Sequence, residues 1–478
     1  MLQTSKLFRD CRYALLAVYV FTAFNAPVKA AERFENLSLN QAIEVALKNN
    51  LEKQISYQSA LIAESQYQQA LSARWPTVNL QAGFQHRDQA PTFTNPAMNV
   101  ALPQQLSGVL SQLTGGQLNV NSITVPEQTI KMFNQNTTTA PLQLLYPLYT
   151  GGKISSIINQ AGIGKEIAQE EMRRTTLQVL RDVKRYYYAA QLTNSLSKTA
   201  KKIHNELSNT RDLTKSLYEG GSSTVNKLDY LKTEMAVSYA KSVEIDFLGK
   251  HKSAVAALAN SMGLSWDSQI TVEAPLKTES GHTAQLESLV QQATQFNPQI
   301  SVLKLAVKAS DEKITEARSG YFPQIALTAD TTHYENGYDK GLANDTNKNS
   351  WTIGVGITMP LFNGFLTDHQ VSTARLQSSQ IQSKQKLVEQ GIAILVKNLL
   401  IEYETAHQQI EVSEQAAKLA DDHSDLTARA FQIGASKPED MVHASILQAI
   451  TEGNLLRARH DQQLNLAELD YVLGSEAQ

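Results

Sequence analysis

Two periodicities alternate along this chain. From Ser38 apolar residues recur at three- and four-residue steps for about 37 residues, which predicts one amphipathic helix. Ser38 and Gln41 open it with a capping-box pattern, which satisfies free amide groups at a helix start. The period then falls to two. Val78, Leu80, Ala82 and Phe84 alternate with Thr77, Asn79, Gln81 and Gln85, and a less regular return strand carries Leu142, Leu144 and Tyr146 up to Pro147. A helical pattern follows from Lys153 to Tyr218, roughly 100 Å long at about 1.5 Å per residue. Leu192, Leu196, Ile203, Leu207 and Leu217 mark the seam by which it packs lengthwise on other helices. A glycine turn ends it at Gly221, and a shorter returning helix runs to Gly263.

The second part of the chain repeats this plan. Leu286, Val290, Ala293, Asn297 and Pro323 follow Leu39, Ile43, Ala46, Asn50 and Pro76 by about 247 positions. Pro360-Leu361-Phe362 and Gly434 follow Pro147-Leu148-Tyr149 and Gly221 by about 213, because the segment after Pro76 is about 34 residues longer than its counterpart. The later strands alternate more cleanly, with Ile325, Leu327 and Ala329 against Gln324, Thr328 and Asp330. Trp351, Ile353, Val355, Ile357 and Met359 then alternate with Thr352, Gly354, Gly356 and Thr358. The second long helix runs from Leu366 to Gln432, and its returning partner ends at Gly474. The predicted organisation is a first repeat over 31–283 with its hairpin at 76–148, and a second over 284–478 with its hairpin at 323–360. A long segment, 87–138, joins the first pair of strands and is expected to lie outside the cell as a mobile partial cap with a helix near Leu106 to Leu113.

Strands of about ten residues, paired as hairpins and flanked by aromatic side chains, point to a membrane barrel. Trp75, Tyr146, Tyr149, Trp351 and Phe362 are the candidate interfacial aromatics. Four strands cannot close a barrel in lipid, because an open edge leaves backbone groups unpaired. Several chains must therefore share one, and three would supply about twelve strands and leave a passage. After residue 30 no apolar run is long enough for a transmembrane helix, so any crossing is made by strands.

Residues 1–30 carry Lys6, Arg9 and Arg12, an apolar run from Ala14 to Phe24, and a Val28-Lys29-Ala30 ending, the pattern of a cleaved export signal. Cleavage there removes Cys11 and shifts the net charge from -3 to about -6. A cysteine-free exported chain depends on packing and association rather than disulfides. Its mild acidity provides no footprint for nucleic acid.

The ordered pair of helix, hairpin, long helix and returning helix, with its Pro-Leu-aromatic turns and glycine tips, resembles the TolC-like outer-membrane efflux family across nearly the whole mature chain. The resemblance implies a mainly α protomer with a membrane β-barrel portion, three copies forming a 12-strand β-barrel and a 12-helix α-barrel joined at a mixed equatorial belt. It implies an exit duct of a tripartite efflux or type I secretion system, in the outer membrane and extending into the periplasm, served by a periplasmic adaptor protein and an inner-membrane pump. Adaptor docking would fall on Gly220-Gly221-Ser222 and Ile433-Gly434-Ala435. The periplasmic gate would involve Phe431 and Asp440, with His443 where the family usually has a second acid and Lys227 at the corresponding first-half site. Three copies of Asp440 would form a cation-favouring ring, and histidines there would add positive charge below about pH 6.5.

No catalytic constellation, cofactor loop or zinc spacing is read. Asp421-Asp422-His423-Ser424-Asp425 is the one cluster with a metal-like look, and its place inside a long helix favours a solvated face. A trimeric coiled-coil adhesin or structural stalk is the alternative, although such proteins gather their membrane strands at one terminus, whereas these hairpins recur inside two repeats. The transported substrate cannot be read from the fold.

Overall fold

The computed structural model describes residues 33–117, 120–132, 135–273, 285–336 and 349–474. The expected signal at 1–30 lies outside them. The chain divides into two compact units, one holding the chain up to Glu64 with 164–307 and 380 onwards, the other holding 65–163 and 308–379.

In the first unit β1 (Arg33–Leu37) leads into α1 (Leu39–Asn49). Ser38 and Gln41 form the reciprocal capping box that the sequence predicts, and α1 buries Ala42 and Ala46. The expected helix of about 37 residues is not continuous. It breaks at Asn50, whose ψ is 127°, and resumes as α2 (Leu51–Ser72). The second repeat breaks in the same place: α6 (Leu286–Phe296) stops at Asn297, with ψ 123°, before α7 (Pro298–Arg318). Pro298 excludes the helical conformation from the residue before it. Each asparagine restarts the helix as its cap, Asn50 Oδ1 accepting from Lys53 N at 3.1 Å and Asn297 Oδ1 from Gln299 N at 2.9 Å.

The long helices follow the sequence reading closely, α4 (Lys153–Glu219) and α8 (Leu366–Gln432), with returning helices α5 (Lys227–Ser261) and α9 (Pro438–Leu473). The segment after Gly263 contributes β9 (Gln269–Val272), which pairs in parallel with β1. Its Ile270 and Val272 join Leu37, Val183, Leu258 and Met262 in one core cluster. Leu289, Ile300, Val396 and Leu469 form the counterpart in the second repeat. Each fully buried side chain of this size contributes about 1.5–3 kcal/mol, so these two clusters hold the helices of each repeat together.

The second unit holds the main sheet. β2 (Thr77–Leu80) and β3 (Gly83–His86) both pair with β8 (Asn136–Tyr149) in a single register. The gap between them falls opposite Pro141, which has no amide hydrogen to give the ladder. β8 continues through Pro147 to Tyr149, beyond the turn predicted there, by a bulge opposite Ile325 and Ala326 of β10 (Gln324–Asn336). β10 then pairs with β11 (Asn349–Thr358), giving the order β11, β10, β8, β2.

Within the segment 87–138 the described residues form further short paired strands. β4 (Thr92–Asn95) pairs with β7 (Gln128–Lys131) and β5 (Met98–Ala101) with β6 (Ser122–Val125), and α3 (Gln104–Leu113) lies where a helix is predicted.

Candidate functional site

The register sorts the sheet into two faces. Ile325, Leu327 and Ala329 pair with Ile357, Val355 and Ile353, and Thr331 with Trp351. Leu327, Ala329 and Thr331 also pair with Tyr146, Leu144 and Leu142, which bring in Val78 and Leu80. Paired residues share a face, so the strands present one apolar surface. The other face carries Thr77, Asn79, Gln143, Thr328, Asp330, Thr352, Gly354 and Gly356, with Leu145 and Ala326 as apolar exceptions. Ile353, Val355 and Ile357 are all exposed, a contiguous apolar surface that water does not favour and lipid does.

Of the predicted interfacial aromatics, Trp75 is 72% exposed, Trp351 75% and Phe362 77%, and Tyr149 is also exposed. Tyr146 is half-buried within the sheet. Phe362 meets Phe365 edge to face at 5.5 Å between centroids.

In the first unit both helical hairpins end in glycine tips of one design. Ser222 N donates to Leu217 O at 3.0 Å and Ala435 N to Ala430 O at 2.8 Å, the six-to-one bond of a left-handed helix terminus. Gly221 and Gly434 supply the required φ of 77° and 74°, with open space where a Cβ would stand. Gly220 N closes the last turn of α4 on Ser216 O at 2.9 Å. Gly220 and Ala435 are exposed, Ser222 is partly so and Ile433 is 82% exposed, so the predicted docking residues form two free surfaces.

Beyond each tip an acidic residue caps the returning helix. Asn226 and Asp229 form a capping box at α5, and Asp440 Oδ2 accepts from Lys437 N at 2.9 Å and Ser436 Oγ at 3.1 Å at α9. The Lys437 amide holds the Asp440 carboxyl below its ordinary value, and Ser436 adds to the effect. This geometry corrects one sequence equivalence. The first-half counterpart of Asp440 is Asp229, about 211 positions earlier. Lys227 instead matches Pro438, because the first tip loop is longer, and its side chain is exposed. Phe431 is buried within the protomer, at 5% exposure. Asp440 and His443 are exposed.

The sequence reading missed a contact that ties the two hairpins together near their tips. Lys232 Nζ lies 2.8 Å from Glu439 Oε2, joining α5 to α9. This hydrogen-bonded pairing holds the Glu439 carboxyl below its usual value. Tyr218 stacks on Tyr230 across the first tip, 6.4 Å between centroids. Lys232 lies about 211 positions before His443, a correspondence that appears only once the capping positions are aligned.

One sheet face apolar and the other polar, in a chain that also has long helical hairpins with glycine tips, fits an outer-membrane duct protomer. The chain belongs to the outer membrane efflux protein family, which it matches over residues 42–264 and 289–475. It is similar to outer membrane protein TolC of Escherichia coli K12, 22% identical over 430 residues covering 86% of this chain and 83% of that one. The probable efflux pump outer membrane protein TtgC of Pseudomonas putida is 22% identical over 419 residues, 86% of this chain and 78% of its own. The fold matches the CmeC outer membrane channel of Campylobacter jejuni with a TM-score of 0.73 at 13% identity, over 92% of this chain and 87% of that one. The protein is therefore an outer-membrane exit duct for efflux, reaching into the periplasm, and the stalk or adhesin alternative falls.

Proposed function

We propose that three copies close the duct as a 12-strand barrel and a 12-helix tunnel, with the two tips docking a periplasmic adaptor that links it to an inner-membrane pump. The observation that carries this reading is the sheet order: β11 and the β2/β3 strand are edges without a partner among the described residues, beside an apolar face that only lipid or protein can cover. Open edges in a bilayer cost several kcal/mol per unpaired backbone group, so neighbouring copies must supply the missing strands. On α8 the exposed residues Leu387, Ile394, Ile401, Val412, Leu419 and Leu426 recur at steps of about seven and eleven, a stripe suited to lengthwise packing on another helix. TtgC's description as an efflux pump component supports a pump as partner, and the fold admits solutes or secreted proteins as cargo.

At the periplasmic end, copies of Asp440 and His443 converge on the axis as the constriction, and the Lys232–Glu439 pair holds the second hairpin to the first. Light scattering of the detergent-solubilised protein should give a trimer, and a monomer as sole species would overturn the assembly. Gly434→Trp should abolish crosslinking to the adaptor while leaving the trimer intact, since it fills the open approach to the backbone at the tip. Undiminished crosslinking and efflux in that variant would move the docking surface elsewhere.

A further inference from the structure

A second acidic constellation lies away from the tips, at the junction of α4, α8 and α9. It absorbs part of the Asp421-Asp422-His423-Ser424-Asp425 run, whose Asp421 accepts from Gln448 Nε2. Lys202 Nζ stands 3.5 Å from Asp421 Oδ1 and 3.9 Å from Glu206 Oε1. Thr199 Oγ1 donates to Glu452 Oε1 at 2.9 Å. Facing Glu206 are therefore Lys202 from α4, Asp421 and Asp425 from α8, and Glu452 from α9. Lys202 pairs with two of these carboxylates, Asp421 and Glu206, while Asp425 and Glu452 add further negative charge at the junction.

Its floor is unfinished. Gln448 is 4% exposed, and its amide nitrogen is fixed on Asp421, which keeps the amide oxygen of the same group inside the cluster. That oxygen receives no hydrogen bond from the protein, and neither does the buried Oε2 of Glu206. Both are acceptors, so each waits on a donor while Glu206 is ionised. One added hydrogen changes this, because a protonated carboxyl both donates and accepts.

We propose that this junction is a proton-binding site in which Glu206 takes up one proton from solvent and, as a neutral donor, ties α4 to the α8–α9 hairpin. Burial raises the Glu206 carboxyl above its ordinary value, Lys202 opposes that, and Asp421, Asp425 and Glu452 add to it. The sign follows: an acid raised in the closed arrangement strengthens that arrangement below the ordinary glutamate range, and the gain is lost as pH rises through the raised value. Among the described residues no group of three or more His, Cys, Asp or Glu side chains is arranged to hold a metal ion, which favours a proton over a metal as occupant. The site is built within one protomer, so its failure would leave the duct reading untouched.

Hydrogen exchange on the intact protein in lipid nanodiscs tests it, read on peptides covering 441–455 and normalised for the chemical exchange rate. The parent should lose at least about threefold in protection between about pH 5 and pH 8. Glu206→Gln, whose amide donates at every pH, should stay protected throughout. Glu206→Asp, which still titrates, should keep a pH dependence, and His423→Asn should behave as the parent. A flat parent profile, or a Glu206→Gln profile that follows the parent, overturns the proposal. So does protection that responds to Mg²⁺ and EDTA instead of pH.

Discussion

Asn297 donates from its side-chain amide to the carbonyl oxygen of Val472 at 2.8 Å, a buried bond between residues far apart in sequence. Its repeat counterpart does the same, Asn50 Nδ2 donating to Ser261 O at 2.8 Å. In each repeat one asparagine thus breaks a helix, caps its continuation and accepts the returning helix as it arrives. The free carbonyls at a helix end need partners, and these amides supply one in a place where water does not reach. That is why the broken helix is stable inside a core.

Asn297→Ala should cost about 1–3 kcal/mol, since it leaves the buried Val472 carbonyl without a donor. Thermal unfolding followed by circular dichroism should show a lowered midpoint, and the Asn50→Ala variant a similar drop. An unchanged midpoint in both would mean that the joints are held by packing alone.

The glycines that meet these asparagines differ from those at the tips. Gly263 and Gly434 both have positive φ, 69° and 74°, yet a Cβ on Gly263 would stand 2.4 Å from Asn49 O while one on Gly434 meets nothing within 4 Å. Gly434→Ala should therefore cost only the left-handed backbone penalty, about 1–2 kcal/mol. Gly263→Ala should cost more, because backbone must move as well. Equal shifts in chemical denaturation midpoint for the two variants would contradict this.

Much of this architecture is legible in the sequence because it depends on periodicity. The long helices, the alternating strands and the glycine tips each impose a spacing that survives in the residues themselves. The joint at Asn50 was not, because an asparagine in an amphipathic pattern reads as a tolerated polar position until its distant partner Ser261 is known. The Lys232–Glu439 pair escaped for the same reason, as its members belong to different hairpins. For Phe431 the sequence shows an aromatic at a helix end, whereas its burial within the protomer depends on neighbours that the pattern does not name.

The strand faces predict asymmetric tolerance to charge. Val355→Arg places a cation on the apolar face, where a charge near the bilayer midplane costs about 2–4 kcal/mol. It should lower the amount of assembled protein in outer membranes. Thr352→Arg lies on the polar face and should assemble normally while shifting the channel toward anions. If both variants assemble equally well, the apolar face does not meet lipid.

The constriction reading rests on Asp440 doing two things at once. Its carboxylate caps α9 through Lys437 N, and that bond holds its acid form at bay. A depressed acid adds stability that is present above the ordinary aspartate value and lost as pH falls through the lowered one, so at neutral pH Asp440 is charged. Asp440→Asn retains a side-chain oxygen for the cap and removes the charge, which separates the two roles. In planar bilayers it should lower cation preference and weaken block by divalent cations, with little change in the melting curve. His443, one helical turn further along α9, is exposed on the same stretch. His443→Asp should add a second acidic ring and increase both cation preference and divalent block. Parent-like selectivity and block in both variants would show that these side chains do not line the narrowest part of the passage, and the hairpin clasp at Lys232 and Glu439 would then be the place to search.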